Sequence, residues 1–162
     1  MKRVEVYTDG SATPDGRGGW ATILRYGRHE RVLQGREEEG ATNNRMELKA
    51  ALEALRALQE PCEVHLYTDS EYLKRAFAEG WLSKWQKNGW RTASKAPVKN
   101  RDLWEALLKE ASRHRVVFHW VRGHAGLKEN ERADRLAKGA RAASPSGEDR
   151  VASPSGDDRE GG

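Results

Sequence analysis

Two short runs in the chain end alike. Residues 4–11 read VEVYTDGS and residues 64–71 read VHLYTDSE; each is a strand-like alternation that stops at an aspartate, Asp9 or Asp69. An Asp before Gly or Ser is ordinary turn or helix-cap chemistry, but two copies point to a shared task. If the runs form adjacent parallel strands, both carboxylates leave the sheet at its carboxyl edge, where open α/β sheets place their ligands. Charges so close repel and raise one pKa unless a cation sits between them.

Further acids can reach that edge. Glu47 lies in the first turns of a helical run beside its apolar stripe, and Asp134 borders the apolar face of the last helical run. Taken singly, Glu47 also suits a dipole-favoured acid near a helix start, and Asp134 one more charge in the NERADR run. Taken together, four oxygen ligands without a Cys or His cluster suit Mg2+ or Mn2+ rather than zinc. Two such ions about 4 Å apart can hold a phosphodiester between an activated water and a leaving oxygen, which points to hydrolysis of nucleic acid. His124, between Gly123 and Gly126 in RGHAG, is free to swing and has an ordinary pKa near 6.5, so it suits a proton shuttle; a plain surface imidazole is the other reading. His29, His65, His114 and His119 fall in strands or at element ends, and no chemistry is assigned to them.

The elements that must position these groups follow from periodicity. Arg3 to Thr8, Trp20 to Tyr26 and Arg31 to Gly35 read as three short strands in an antiparallel meander, with Gly, Pro and Asp punctuation at 13 to 19. Leu48, Ala51, Leu52, Leu55 and Leu58 then fall at helical spacing, giving a helix over 43 to 59 with Thr42, Asn43 and Asn44 as cap candidates and Pro61 at the exit. A strand over Val64 to Thr68, a helix over Ser70 to Glu79, a Trp-rich piece over Trp81 to Lys87 and a loop to Lys99 come next. Asn100 is read as the cap of a helix bearing Leu103, Trp104, Leu107 and Leu108. A strand over Val116 to Val121 and a helix over Glu129 to Ala143 complete the fold. The order βββαβααβα implies an α/β fold: a five-stranded mixed sheet, three antiparallel strands plus two parallel ones, with helices on both faces.

The chain has 162 residues, enough for one core without staples. Its single cysteine, Cys62, has no internal partner and reads as a free buried thiol. No apolar run is long enough for a signal or a membrane span, so a soluble, cytoplasmic, monomeric protein is the expectation. ASPSGEDR at 143–150 is echoed by ASPSGDDR at 152–159, and from Ser144 onward five acids stand against two arginines, so a chain of net charge +4 has a body of +7. Residues 1–143 are read as the folded domain and 144–162 as a disordered Ser/Pro/Gly/acidic tail.

The positive charge is concentrated. Between residues 84 and 101 stand Lys84, Lys87, Arg91, Lys95, Lys99 and Arg101 and no acid, with Trp81, Trp85 and Trp90 in or beside them. The aromatics can form a satellite core rimmed by solvated lysines. They can equally form a cationic projection that tracks a phosphate backbone, with rings set against sugars.

The motifs YTDGS, TNNRMEL, LYTDS, WQKNGWRT, VKNRDLW and VRGHAGLKENERADRLA, in this order over residues 4 to about 140, resemble those of bacterial type 1 ribonuclease H. That family cuts the RNA strand of RNA/DNA hybrids. The resemblance implies the ribonuclease H-like fold and a metal-dependent endonuclease that leaves 5′-phosphate and 3′-hydroxyl ends. It implies two Mg2+ ions, with Mn2+ able to substitute. Asp9, Glu47, Asp69 and Asp134 match the four metal-binding carboxylates: Asp9 would bridge the ions, Asp134 would share the one that activates water, and Glu47 and Asp69 the one nearer the leaving oxygen. His124 matches the loop histidine of proton transfer and product release.

The same resemblance supplies substrate contacts. Asn43 and Asn44 match residues that reach the minor groove, where the 2′-hydroxyl separates RNA from DNA. Thr42 and Asn100 match a pair that grips a DNA-strand phosphate, while Trp81, Lys84, Trp85 and Lys87 match the handle that contacts that strand. The first turn departs from the pattern, reading SATPDGRGG where relatives often carry Asn-Pro-Gly. Integrase-like nucleases and connection-type domains that have lost catalysis share such a sheet. The former are not expected to carry TNN together with this handle, and the latter lose carboxylates that are all present here.

Overall fold

The computed structural model describes residues 1–122 and 128–142, so His124 and the tail from Ser144 lie outside the described residues. The elements run β1 (Lys2–Ala12), β2 (Gly18–Tyr26), β3 (His29–Glu37), α1 (Asn43–Ala57), β4 (Cys62–Thr68), α2 (Glu71–Ala78), α3 (Trp81–Asn88), α4 (Arg101–Ala111), β5 (Arg115–Trp120) and α5 (Lys128–Ala142). The sheet order is β3-β2-β1-β4-β5. β1, β2 and β3 pair antiparallel, and β4 runs parallel to both β1 and β5. The expected mixed five-stranded sheet is present.

Two apolar layers sandwich it. Strand residues alternate sides; Val4, Val6, Val64 and Leu66 face a core closed by Leu48, Leu52 and Leu55 of α1 and by Leu103, Trp104 and Leu107 of α4. On the opposite side Tyr7 and Ile23 meet Ala133 of α5, with Val32, Tyr67 and Leu136 at the margin. Leu48, Leu52 and Leu55 are fully buried at the spacing the sequence shows. Cys62 is buried and free.

Some boundaries differ from expectation, each for a physical reason. β1 does not end at Asp9. Its antiparallel pairing with β2 continues through Asp9↔Ala21 to Ala12↔Gly18, so Gly18 and Gly19 belong to a strand and not to a loop. A Cβ on Gly19 would lie 2.2 Å from the carbonyl oxygen of Ala137; the missing side chain is what lets α5 lie on the sheet. The Trp-rich piece is a helix, α3, bracketed by Gly80 (φ 70°) and Gly89 (φ 76°) in the left-handed region that glycine enters freely. Asn100 makes no side-chain cap to α4. Its Oδ1 accepts from Arg45 at 3.5 Å, and its Nδ2 donates to the Tyr72 hydroxyl at 3.3 Å.

Candidate active site

The parallel register between β1 and β4 runs from Lys2↔Cys62 to Tyr7↔Tyr67. Asp9 and Asp69 each follow the last pair by two residues, so the repeated YTD places two carboxylates side by side. Beyond that pair β1 carries on along β2, while β4 stops at Thr68 and the chain turns into α2. Ser70 caps α2, its Oγ accepting from Leu73 N at 3.1 Å, and a bond from Ser70 N to Thr68 Oγ1 at 3.1 Å tightens the turn at Asp69.

Glu47 arrives from α1. Thr42 caps that helix, accepting from Arg45 N at 3.0 Å. Asn43 Oδ1 accepts from Ala12 N at 2.7 Å and ties the helix start to the extension of β1. The approach is close because residue 10 is glycine: a Cβ there would fall 2.3 Å from the Met46 carbonyl carbon and 2.4 Å from Glu47 N. Ligand oxygens of Asp9, Glu47 and Asp69 lie within 4.8 Å of one another. Asp134 reaches the same place from α5 and is hydrogen-bonded to Asp9, while Lys138 holds its Oδ2 at 3.2 Å. All four sequence-derived carboxylates therefore converge, three as a compact nest and the fourth through Asp9.

Electrostatics make this cluster costly as it stands. Burial pushes the Asp9 carboxyl well above the ordinary range; the bond with Asp134 and the charge of Asp69 push it further, against a counteracting bond from Gly10 N–H. Burial also raises Glu47 to about 7, partly offset by a hydrogen bond from Ser70. Protein folds retain such repulsion where a cation relieves it. The donor set is all oxygen, which fits hard divalent ions such as Mg2+ or Mn2+. Asp9, Glu47, Asp69 and Asp134 would hold them.

Asn130 was not singled out by sequence. It is 2% exposed, and from α5 its Nδ2 donates to the carbonyl of Tyr67 at 3.1 Å and of Thr8 at 3.5 Å. It thereby clasps the two strands just before their aspartates. Its Oδ1 finds no partner among the described residues. The available signal was an Asn on the inward side of a helix whose other buried residues are alanines, Ala133 and Ala137.

The substrate candidates occupy two neighbouring places. Thr42, Asn43 and Asn44 are exposed at the start of α1. Arg45 joins them to the start of α4, pairing with Asp102 through two bonds of 3.1 and 2.9 Å and reaching Asn100. Lys84 and Lys87 are exposed on α3, whereas Trp81 and Trp85 are half-buried. The Trp85 ring packs at a tilt against both Trp90 and Trp104, with centroids 5.9 Å apart in each pair. The aromatics are thus no separate satellite core: Trp90 and Trp104 belong to the main core between the sheet and the helices α1 and α4, and Trp81 and Trp85 pack against it under the basic rim.

Comparison with known proteins identifies the family. The RNase H family model matches residues 1–142. A ribonuclease H of Thermus thermophilus is 62% identical over 138 residues, covering 85% of this chain and 82% of the relative. That of a Chelativorans species is 57% identical over 143 residues, covering 88% and 87%. Among solved structures, that of LC9-RNase H1, a type 1 RNase H with the type 2 active-site motif, matches with a TM-score of 0.76. It is 33% identical and the match covers 86% of this chain and 72% of that one. With its carboxylates converging on the edge of a five-stranded mixed sheet, the chain belongs to the ribonuclease H family, in the bacterial type 1 group.

Proposed function

We propose that this protein hydrolyses the RNA strand of RNA/DNA hybrids at the nest formed by Asp9, Glu47, Asp69 and Asp134, leaving 5′-phosphate and 3′-hydroxyl ends. The observation that carries the reading is the gathering of Asp9, Glu47 and Asp69 oxygens within 4.8 Å on a family-matched fold. When bound there, two Mg2+ or Mn2+ ions supply Lewis acidity for attack of water on the scissile phosphate and for departure of the 3′ oxygen.

The chain's own groups do the rest. Glu47, raised to about 7, and the proton-sharing pair Asp9 and Asp134 must release protons for the nest to take up cations, so uptake strengthens as pH rises. Asn43 has its Oδ1 engaged by Ala12 N, which leaves its amide N–H groups as the donors it can offer to a ribose 2′-hydroxyl; exposed Asn44 stands beside it. Thr42 and Asn100 flank Arg45 and would seat a phosphate of the DNA strand. Lys84 and Lys87 would follow that strand, with the half-buried edges of Trp81 and Trp85 against its sugars. His124 would assist proton transfer and product release. Residues 1–143 would act as the catalytic domain, with the tail outside it.

The test incubates end-labelled RNA/DNA, RNA/RNA and DNA/DNA duplexes with Mg2+, Mn2+ or chelator. Cleavage confined to the RNA of the hybrid, and only with a divalent ion, is the expected result. Intact hybrid RNA, or equal cutting of duplex DNA, would overturn the proposal.

A further inference from the structure

The sheet face on which α5 packs over β1, β2 and β3 continues across β4 and β5. There Tyr67 pairs with His119 and His65 with Val117, so His65 and His119 are diagonal neighbours on that face. Their ring nitrogens, His65 Nδ1 and His119 Nε2, are 2.8 Å apart. The rings are nearly coplanar, at 24° with centroids 5.1 Å apart, so the two nitrogens meet edge to edge. Tyr67 stacks on His119 at 4.5 Å and on Tyr7 at 5.0 Å, which fixes the plane of the second ring.

A third group decides the protons. Glu63 Oε2 lies 2.7 Å from His65 Nε2, with Arg3 3.6 Å from the same oxygen. An ionised carboxylate only accepts, so His65 keeps its proton on Nε2 and Nδ1 is left as a lone pair aimed at His119. A carboxylate behind one ring nitrogen, with the other nitrogen free, is the support that orients histidine ligands of metals and raises their basicity. Neutral imidazole is the form that coordinates, and burial favours that form of His119.

We propose that His65 Nδ1 and His119 Nε2 form a second ion site, separate from the carboxylate nest, for a borderline divalent transition ion such as Zn2+. The proton now lying between the rings moves to His119 Nδ1, so that both rings stay neutral and each offers one lone pair. Metal–nitrogen distances of about 2.0–2.1 Å require the nitrogens to part from 2.8 Å to roughly 3.3 Å. His119 can supply that movement because it is half-buried on the edge strand β5. Glu63 is committed to the far nitrogen of His65 and is not a third ligand, so the remaining positions belong to water and the ion exchanges readily. Chemical type keeps the two sites apart: all-oxygen donors take Mg2+, and imidazole takes Zn2+, Ni2+ or Cu2+.

The test uses the untagged full chain and its Asp9→Asn variant in excess Mg2+ at slightly alkaline pH. Zn2+ is titrated by calorimetry while the histidine ring nitrogens are followed by NMR. The proposal expects one Zn2+ in both proteins with His65 Nδ1 and His119 Nε2 shifting together. His119→Gln should weaken binding by at least about tenfold, Glu63→Gln by about tenfold, and the exposed control His29→Gln should not change it. No zinc uptake, binding as tight in His119→Gln as in the parent, or zinc uptake without movement of those two nitrogens would each overturn it.

Discussion

Asp134 on α5 is hydrogen-bonded to Asp9 on β1, and two carboxyl groups make such a bond by sharing a proton. Asp9 and Glu47 both hold protons in the metal-free fold at pH values where the unfolded chain has lost them. The folded state then binds more protons than the unfolded state, and stability falls as pH rises through that window. For Glu47 the window runs from its ordinary range up to about 7. The surface carboxylates Glu30, Glu129 and Asp102 are shifted downward, so their contribution is already complete there. Glu47 alone is therefore expected to withdraw on the order of 2–3 kcal/mol from the metal-free protein between pH 5 and pH 8 in chelator, with Asp9 adding to the loss and the lowered His114 and His119 opposing it. Asp9→Asn should flatten this slope and raise the pH 8 stability while abolishing metal-dependent cleavage. Urea unfolding at the two pH values checks the first two effects, and the hybrid cleavage assay the third.

The sequence displays the nest's aspartates because register converts the repeat of YTD into adjacency, and the helix carrying Glu47 because its leucines keep strict spacing. The means of bringing the helices close were not displayed. Gly10 and Gly19 look like turn residues in a glycine-rich stretch. Both lie within β1 and β2, and each admits a helix backbone, α1 with Glu47 or α5 with Asp134. Tertiary approach of that kind leaves no local periodicity. The pairing of His65 with His119 was hidden for a similar reason, since 54 residues separate them and only the β4–β5 register joins them.

Gly10 is therefore the residue whose enlargement should separate fold from site. In Gly10→Ala the new methyl meets backbone atoms of Met46 and Glu47, which cannot rotate away as a side chain could. α1 must shift off β1 and take Glu47 from Asp9. A destabilisation of about 3 kcal/mol is expected, together with a higher Mg2+ requirement in whatever protein folds. Calorimetric Mg2+ binding on the folded fraction measures the second effect apart from the first.

Asn130 offers a cleaner separation. Asn130→Ala removes the amide that holds the Tyr67 and Thr8 carbonyls, at a cost of about 1–3 kcal/mol. Asn130→Asp keeps the shape but loses the donor and adds a negative charge beside the nest. Its deficit should therefore exceed that of the alanine variant at pH 8 and shrink toward pH 5, as the new carboxyl takes a proton. Equal deficits at both pH values would mean that the clasp acts through shape alone.

The exposed lysines on and after α3 test the substrate side. Lys84, Lys87 and Lys95 project from a segment whose tryptophans are occupied with packing, so their removal should spare the core. Their proposed partners are phosphates, and the slope of log affinity against log salt should drop by about 0.9 for every phosphate that is no longer neutralised. The triple Lys→Ala variant is expected to bind hybrid more weakly, to show a correspondingly flatter salt dependence, and to keep the parent's urea midpoint. Turnover at saturating substrate should change little, because none of the three lies in the carboxylate nest. A lower midpoint with an unchanged salt slope would assign the lysines to rimming the aromatic cluster. A flatter slope with an unchanged midpoint assigns them to the nucleic-acid backbone.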